Sequence, residues 1–131
     1  LLIPLKYGAV LHLLLSGYVP WMKFLLESTF DEVFRFQLQG VIEPGDIVIA
    51  ISGSGNSKNV LNAVDYAKSC GNKIIGLTGF SGGKLKELSD ISLHVPINSM
   101  QVTEDIHMVF DHLMMSILYK YLCGRNHLRE Y

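Results

Sequence analysis

The chain has 131 residues, enough for one domain with a buried core, and 49% of them are hydrophobic. Its formal net charge of −1 gives no electrostatic basis for binding nucleic acid. The two cysteines, Cys70 and Cys123, have neither zinc-binding nor redox-motif spacing, which indicates free thiols in a reducing cytoplasm.

The first 26 residues form a strongly apolar stretch that is interrupted at several points. Lys6, His12 and Lys23 are polar, and Pro4 and Pro20 disfavour a continuous helix. A membrane-spanning helix needs roughly 20 consecutive apolar residues, and a signal peptide needs a basic start and a small-residue cleavage site. Neither pattern is clear, so we expect a buried pair of strands or helices and no association with a membrane.

A helix and a strand are predicted next. Apolar residues at helical spacing predict a helix from Phe30 to Val41, and residues 43–46 predict a turn. Ile47 to Ile51 is an uninterrupted apolar run, too short for a helix and too uniform for a half-exposed strand. It therefore predicts a central strand of a parallel sheet, covered on both faces.

This strand is followed at once by a loop of small and hydroxyl residues. The loop consists of Ser52, Gly53, Ser54, Gly55, Asn56 and Ser57. Its glycines allow a sharp turn and leave backbone N–H groups uncovered, and Ser57 is a suitable N-cap for a helix that begins near Lys58. Because a helix amino terminus attracts anions through free N–H groups and the helix dipole, the loop predicts a phosphate-binding site.

Three better-known loops do not fit this stretch. A P-loop has Lys followed by Ser or Thr directly after its last glycine, but Gly55 is followed by Asn56 and Ser57. A dinucleotide-binding loop needs a third glycine at the position of Lys58, and the nucleophile elbow of hydrolases needs glycine where Ser52 stands. These differences argue against ATP, NAD and serine-esterase chemistry, and they leave an ordinary serine-rich turn as the alternative to a phosphate site.

The following elements alternate between helix and strand. The patterns predict a helix from Lys58 to Cys70, a strand from Lys73 to Thr78, a helix from Lys84 to Leu88 and a strand from Ile91 to Val95. Such alternation predicts a parallel α/β sheet. Because ligands bind at the carboxyl ends of its strands, the loops 52–57 and 78–83 should lie on one rim. A mobile turn and a ligand contact are equally good interpretations of residues 79–83.

The last predicted helix runs from Glu104 to about Leu122, with Thr103 as its N-cap. One apolar stripe is expected to face the core, and it consists of Ile106, Val109, Phe110, Leu113, Ile117 and Tyr121. The opposite face consists of Glu104, His107, Met108, Asp111, His112 and Met115. Since methionines are unusual on a solvated face, we expect a partner subunit or a substrate pocket to cover it. His107 and Asp111 are expected to form a surface pair.

Several motifs together resemble one known family. They are Ile-Ser-Gly-Ser-Gly-Asn-Ser at 51–57, Leu-Thr-Gly at 77–79 with Gly-Gly-Lys at 82–84, Ser-Asp-Ile at 89–91, and Glu-Asp-Ile-His at 104–107. In this order they are similar to the sugar isomerase (SIS) domain, and within it to the phosphoheptose isomerases, from about Phe30 to Leu122. The resemblance implies an α/β fold with a parallel sheet flanked by helices, a Rossmann- or flavodoxin-like three-layer sandwich that lacks the first part of the domain.

The resemblance also implies roles for two residues of the last helix. Phosphoheptose isomerases interconvert sedoheptulose 7-phosphate and a heptose phosphate, and a histidine and a glutamine of this helix line their active site, sometimes with a metal. His112 matches that histidine and Glu104 stands at the glutamine position, so both are candidate catalytic residues and candidate ligands of zinc or another divalent metal. Isomerisation needs a base that titrates near neutrality, as histidine does. The family's other catalytic glutamate has no counterpart here, so the isolated chain is expected to turn over little substrate.

Two functions remain open on these observations. The first is a cytoplasmic phosphosugar-binding SIS domain related to an aldose–ketose isomerase, assembled as a homodimer or homotetramer. The second is a non-catalytic module that binds a phosphosugar to regulate or scaffold a partner. Residues 30–123 would form the SIS domain, between an atypical apolar segment at 1–29 and a polar tail at 124–131.

Overall fold

The computed structural model describes residues 2–6, 9–10, 30–39 and 41–123, so the predictions for residues 11–29 and 124–131 lie outside the described residues. Two short strands, β1 (Leu2–Lys6) and β2 (Ala9–Val10), come first. A 3-10 turn at Phe30–Glu32 then leads into helix α1 (Val33–Gln39). The remaining elements are β3 (Ile47–Ser52), α2 (Lys58–Ser69), β4 (Lys73–Thr78), α3 (Gly83–Leu88), β5 (Ile91–His94) and α4 (Met100–Cys123).

The strands form one sheet in the order β2-β1-β3-β4-β5. Strands β3, β4 and β5 are parallel, with Val48 opposite Ile74 and Leu77 opposite Leu93. This confirms the predicted parallel α/β sheet and its central strand. Strand β1 pairs with β3 in the antiparallel direction, and β2 pairs with β1 in the same way. In the described parts of the chain, no helix is long and apolar enough to cross a membrane.

The two faces of the sheet are covered to different extents. On one face, residues of β3 and β4 pack with helices α1, α2 and α3 into the main core, which consists of Leu38, Val48, Ala50, Val60, Ala63, Val64, Ala67, Ile74 and Leu85. On the other face, Ile49 and Leu77 pack against Phe110 and Met114 of α4. A cavity of about 400 Å³, lined partly by Ile47, Ile75 and Ile91, lies at the amino-terminal end of the strands.

Aspartate 90, within the Ser-Asp-Ile motif, fixes the approach to β5. Its carboxylate accepts hydrogen bonds from the backbone N–H of Ile74 at 2.8 Å and from Lys73 Nζ at 2.9 Å. These two interactions, the backbone hydrogen bond above all, lower the pKa of Asp90. The motif is therefore explained by its structural role in holding the loop before β5 against β4.

Helix α4 differs from its predicted form in start and orientation. It begins at Met100, where the carbonyl oxygen of Ser99 accepts the N–H of Thr103 at 3.0 Å, so Thr103 lies inside the helix and is not its N-cap. The predicted apolar stripe is largely exposed, with Val109 at 62%, Leu113 at 55% and Ile117 at 58%. Thr103 and His107 are buried on the face toward the sheet, where Met114 and Phe110, a member of the predicted stripe, are partly buried. The prediction was wrong because apolar residues occur on several sides of this helix, so periodicity alone could not select the face.

Candidate phosphate-binding site

The loop after β3 folds into a compact turn around Ser52. The Ser52 hydroxyl, which is buried, accepts the N–H of Gly55 at 3.1 Å and lies 3.1 Å from the Ser57 hydroxyl. The Gly55 N–H also points to the carbonyl oxygen of Ser52, at 3.0 Å. Ser57 stands at the N-cap position of α2, as predicted, but its side chain makes no capping hydrogen bond. Its hydroxyl is therefore available to the loop and to a ligand.

The same loop presents backbone donors that no group in the described residues accepts. The N–H groups of Ser54, Ser57 and Lys58 have no hydrogen-bond acceptor there. The side chains of Ser54 and Ser57 are exposed, in contrast to that of Ser52. Free N–H groups beside accessible hydroxyls at the start of a helix of 12 residues suit a phosphate oxygen. Thus the side chains of Ser54 and Ser57 are accessible and that of Ser52 is buried in the turn, while their contacts with a ligand stay predictions.

The Gly79–Gly83 loop lies directly against this turn and holds it. The Gly79 N–H donates to the carbonyl oxygen of Gly53 at 2.8 Å, and the Leu85 N–H donates to that of Gly55 at 2.9 Å. The two loops thus share one rim, as predicted. Their hydrogen bonds give residues 79–83 a supporting role that neither sequence interpretation included.

Asparagine 56 links the two loops through its side chain. Its Oδ1 accepts the N–H of Lys84 at 3.1 Å, and its Nδ2 donates to the carbonyl oxygen of Ser54 at 3.2 Å. The amide is therefore occupied by protein groups at both ends. These contacts orient the loop, and the predicted contact of Asn56 with a ligand stays a prediction.

Two glycines allow the loops to approach this closely. Gly55 has φ +67°, and a Cβ atom there would overlap the carbonyl oxygen of Gly82. Gly83 has φ +54°, and a Cβ atom there would lie 2.6 Å from the carbonyl oxygen of Ser54. Both positions combine a left-handed backbone with direct backbone contact, so only glycine fits.

The first turns of α4 pack under the same rim. The Nε2 atom of His107 lies 3.2 Å from the carbonyl oxygen of Thr78, and the Thr78 hydroxyl lies 3.1 Å from Nδ1 of His94. Burial lowers the pKa of His94, and the charge of Lys86 lowers it further. His107 is buried, so the predicted surface pair with Asp111 was wrong. No local pattern indicates the contact between His107 and Thr78, since these residues are 29 positions apart.

The two predicted catalytic residues are both on α4. Glu104 and His112 are both exposed, and they are eight positions apart, about 12 Å along the helix axis. His112 is about 160° around the helix from Met114, which packs against the sheet. The described residues therefore do not bring His112 to the phosphate loop, and its catalytic role stays a prediction.

A divalent metal site is not complete in the described residues. They contain no group of three or more His, Cys, Asp or Glu side chains that could hold an ion. Zinc is almost always held by three or four protein ligands, and Glu104 with His112 would supply two. These two residues would supply only part of a metal site, so the metal stays a prediction.

Comparison with known sequences identifies one family and several relatives that agree with each other. A profile of the SIS domain matches residues 28–116. The chain is similar to the phosphoheptose isomerase of Aliarcobacter butzleri, with 45% identity over 89 residues, which are 68% of this chain and 47% of that protein. It is also similar to that of Rhodospirillum rubrum, with 38% identity over 95 residues, or 72% and 50% of the two chains. The chain thus spans about half the length of these curated relatives.

Solved structures give the same result. A phosphoheptose isomerase from Francisella tularensis superposes with a TM-score of 0.74 at 30% identity, covering 83% of this chain and 59% of that one. A phosphoheptose isomerase from Neisseria gonorrhoeae superposes with a TM-score of 0.72 at 30% identity, covering 79% and 58%. Fold and sequence therefore point to the same group of proteins.

Proposed function

Because the chain belongs to the SIS domain family, we propose that it binds the phosphate group of a phosphorylated sugar in the Ser52–Ser57 loop. One observation carries this proposal. The loop presents backbone N–H groups that have no acceptor among the described residues, beside the exposed hydroxyls of Ser54 and Ser57, at the amino terminus of α2. These groups suit a dianionic phosphate better than an uncharged ligand.

The proposed ligand is a phosphorylated heptose, and sedoheptulose 7-phosphate is the first candidate. Support comes from the relatives, which are named phosphoheptose isomerases and share up to 45% identity with the matched segment. Isomerisation is proposed as the activity of a whole domain of this kind. The described residues supply the phosphate loop and the candidate acid–base residue His112, but His112 is exposed and turned away from the sheet.

A non-catalytic binding module is the second candidate function. The direction of His112 supports it: this residue lies about 160° around α4 from Met114, which packs against the sheet, and a general base must come within hydrogen-bond reach of the proton that it removes. In this case the chain would bind a phosphosugar, and the bound form would regulate or scaffold a partner protein. We propose a cytoplasmic location for either function; the free thiol of Cys70 supports it.

Replacing either exposed serine with alanine tests the proposed phosphate site. We expect Ser57→Ala to weaken the binding of sedoheptulose 7-phosphate about 10- to 100-fold, because a hydrogen bond to a charged group is worth about 1.5–3 kcal/mol. Ser54→Ala should have a similar effect, although it also removes the acceptor for the Asn56 N–H. Isothermal titration calorimetry of the parent and of each variant measures this.

Serine 69 provides a matched control within the same helix. Its exposed hydroxyl donates to the carbonyl oxygen of Tyr66 at 2.6 Å, at the opposite end of α2 from the loop. Ser69→Ala should leave the dissociation constant unchanged. If both loop variants bind as tightly as the parent, the phosphate lies elsewhere and the proposal fails.

We also propose that the chain assembles as a homodimer or homotetramer through α4. The exposed stripe, defined as Val102, Val109, Leu113 and Ile117, runs along this helix. Met108 and Met115 are exposed on another side of it. A row of large apolar side chains of this length is typical of a surface that is covered in the assembled protein.

Light scattering at micromolar concentration tests this assembly. The parent should have the mass of a dimer or tetramer, and Val109→Glu with Leu113→Glu should shift it to the monomer, because charges in an apolar interface are costly to bury. Phe36→Glu is the control, since Phe36 is a similarly exposed apolar residue on α1, across the sheet. A parent that is a stable monomer would contradict the proposal.

A further inference from the structure

Phenylalanine 80 has an unusual backbone conformation for its residue type. Its φ is +48°, in the left-handed region that bulky side chains rarely adopt. Every other described residue with positive φ is a glycine, at positions 45, 55, 71, 82 and 83. Phe80 is thus the one described position where a large side chain is kept in a conformation that favours glycine.

The backbone around Phe80 is fixed by hydrogen bonds that any residue could make. The Phe80 N–H donates to the carbonyl oxygen of Ile97 at 3.3 Å, and the Gly82 N–H donates to that of Gly79 at 2.8 Å. The Gly79 N–H reaches the phosphate loop at Gly53. A glycine at position 80 would keep all three bonds without strain. The turn therefore gives no reason for phenylalanine.

Core packing does not account for the side chain either. Phe80 is half-buried, and it belongs to neither hydrophobic cluster among the described residues. It stands two residues after the end of β4, on the rim that carries the phosphate loop. Strained residues that are not explained by packing or by a turn cluster at ligand-binding sites, and aromatic side chains commonly line such sites.

We infer that Phe80 is a specificity-determining residue that packs its ring against the carbon chain of the bound sugar. This inference rests on the proposed phosphate site. The loop would hold the phosphate, while the ring would contact the C–H groups of the sugar next to it. Such a contact distinguishes a sugar phosphate from inorganic phosphate, because inorganic phosphate would contact the loop but not the ring of Phe80.

Two ligands separate this role from a general effect on the site. We expect Phe80→Gly to weaken the binding of sedoheptulose 7-phosphate about three- to tenfold, the scale of one aromatic contact. Its dissociation constant for inorganic phosphate should stay within twofold of the parent value. Phe80→Tyr keeps the aromatic face and should retain the parent affinity for both ligands. Calorimetric titration of each ligand into the full chain measures these values.

A remote aromatic residue and a stability measurement complete the test. Phe36→Ala removes an exposed ring from α1 and should change neither affinity. Urea unfolding gives a midpoint for the parent and for each variant. The decrease in midpoint caused by Phe80→Gly should be no larger than the decrease caused by Phe36→Ala. Equal losses for both ligands, or no loss for the sugar phosphate, would overturn the role of Phe80 while the phosphate site stands. A parent that binds neither ligand would overturn both.

Discussion

Gly55→Ala is expected to destabilise the fold severely and to abolish phosphosugar binding. Gly55 has φ +67°, which costs a non-glycine residue about 1–2 kcal/mol. The added Cβ would in addition overlap the carbonyl oxygen of Gly82, a backbone atom that cannot rotate away. We expect a total loss of about 4 kcal/mol or more, which is a large part of the roughly 5–15 kcal/mol that stabilises a typical domain. Urea unfolding followed by circular dichroism measures it.

Gly71→Ala is the matched control for this substitution. Gly71 also has a left-handed backbone, with φ +84°, but a Cβ atom there would have no neighbour within 4 Å. Its substitution should cost only the conformational part, about 1–2 kcal/mol. The difference between the two variants isolates the contact between the loops. Equal destabilisation by both would mean that the Gly79–Gly83 loop moves aside easily and does not hold the phosphate loop.

The chain by itself is expected to convert sedoheptulose 7-phosphate about 10²- to 10⁴-fold more slowly than a full-length phosphoheptose isomerase. Removing a general acid or base costs about this factor, and the two candidate catalytic residues of the described part, Glu104 and His112, are exposed and eight positions apart on α4. The resemblance implies a second catalytic carboxylate that lies outside the matched part. Product formation under saturating substrate, followed by NMR for both proteins in parallel, measures the ratio.

If the chain is instead an efficient isomerase, two variants identify the residue responsible. If the chain turns over substrate at a rate near that of the full-length enzyme, the prediction is wrong and an acid–base pair must exist in this chain. Loss of the rate in His112→Ala would then assign that residue. Loss in Glu104→Gln, which restores the amide that the family carries at this position, would assign the carboxylate instead. Binding of the sugar phosphate should survive in both, because the loop is unchanged.

The elements with local sequence signals were predicted closely. Strand β4 has the bounds that the sequence indicated, Lys73–Thr78, because a short apolar run between a glycine turn and a glycine loop fits few other structures. The position of the phosphate loop and the N-cap position of Ser57 were likewise predicted, since both depend on neighbouring residues. Even the sharing of one rim by the two loops follows from the general rule for parallel sheets.

What the sequence did not determine are contacts between residues distant along the chain. The face of α4 toward the sheet includes His107, whose Nε2 lies 3.2 Å from the carbonyl oxygen of Thr78, while most of the apolar stripe that periodicity selected is exposed. The hydrogen bond from the Lys84 N–H to the Asn56 side chain likewise joins residues 28 positions apart, and no local pattern indicates it. Local pattern fixes where the chain turns and which segments are helix or strand. Which side chains meet is decided by the packing of whole elements, because several orientations of an apolar helix satisfy the same pattern and tertiary hydrogen bonds select one of them.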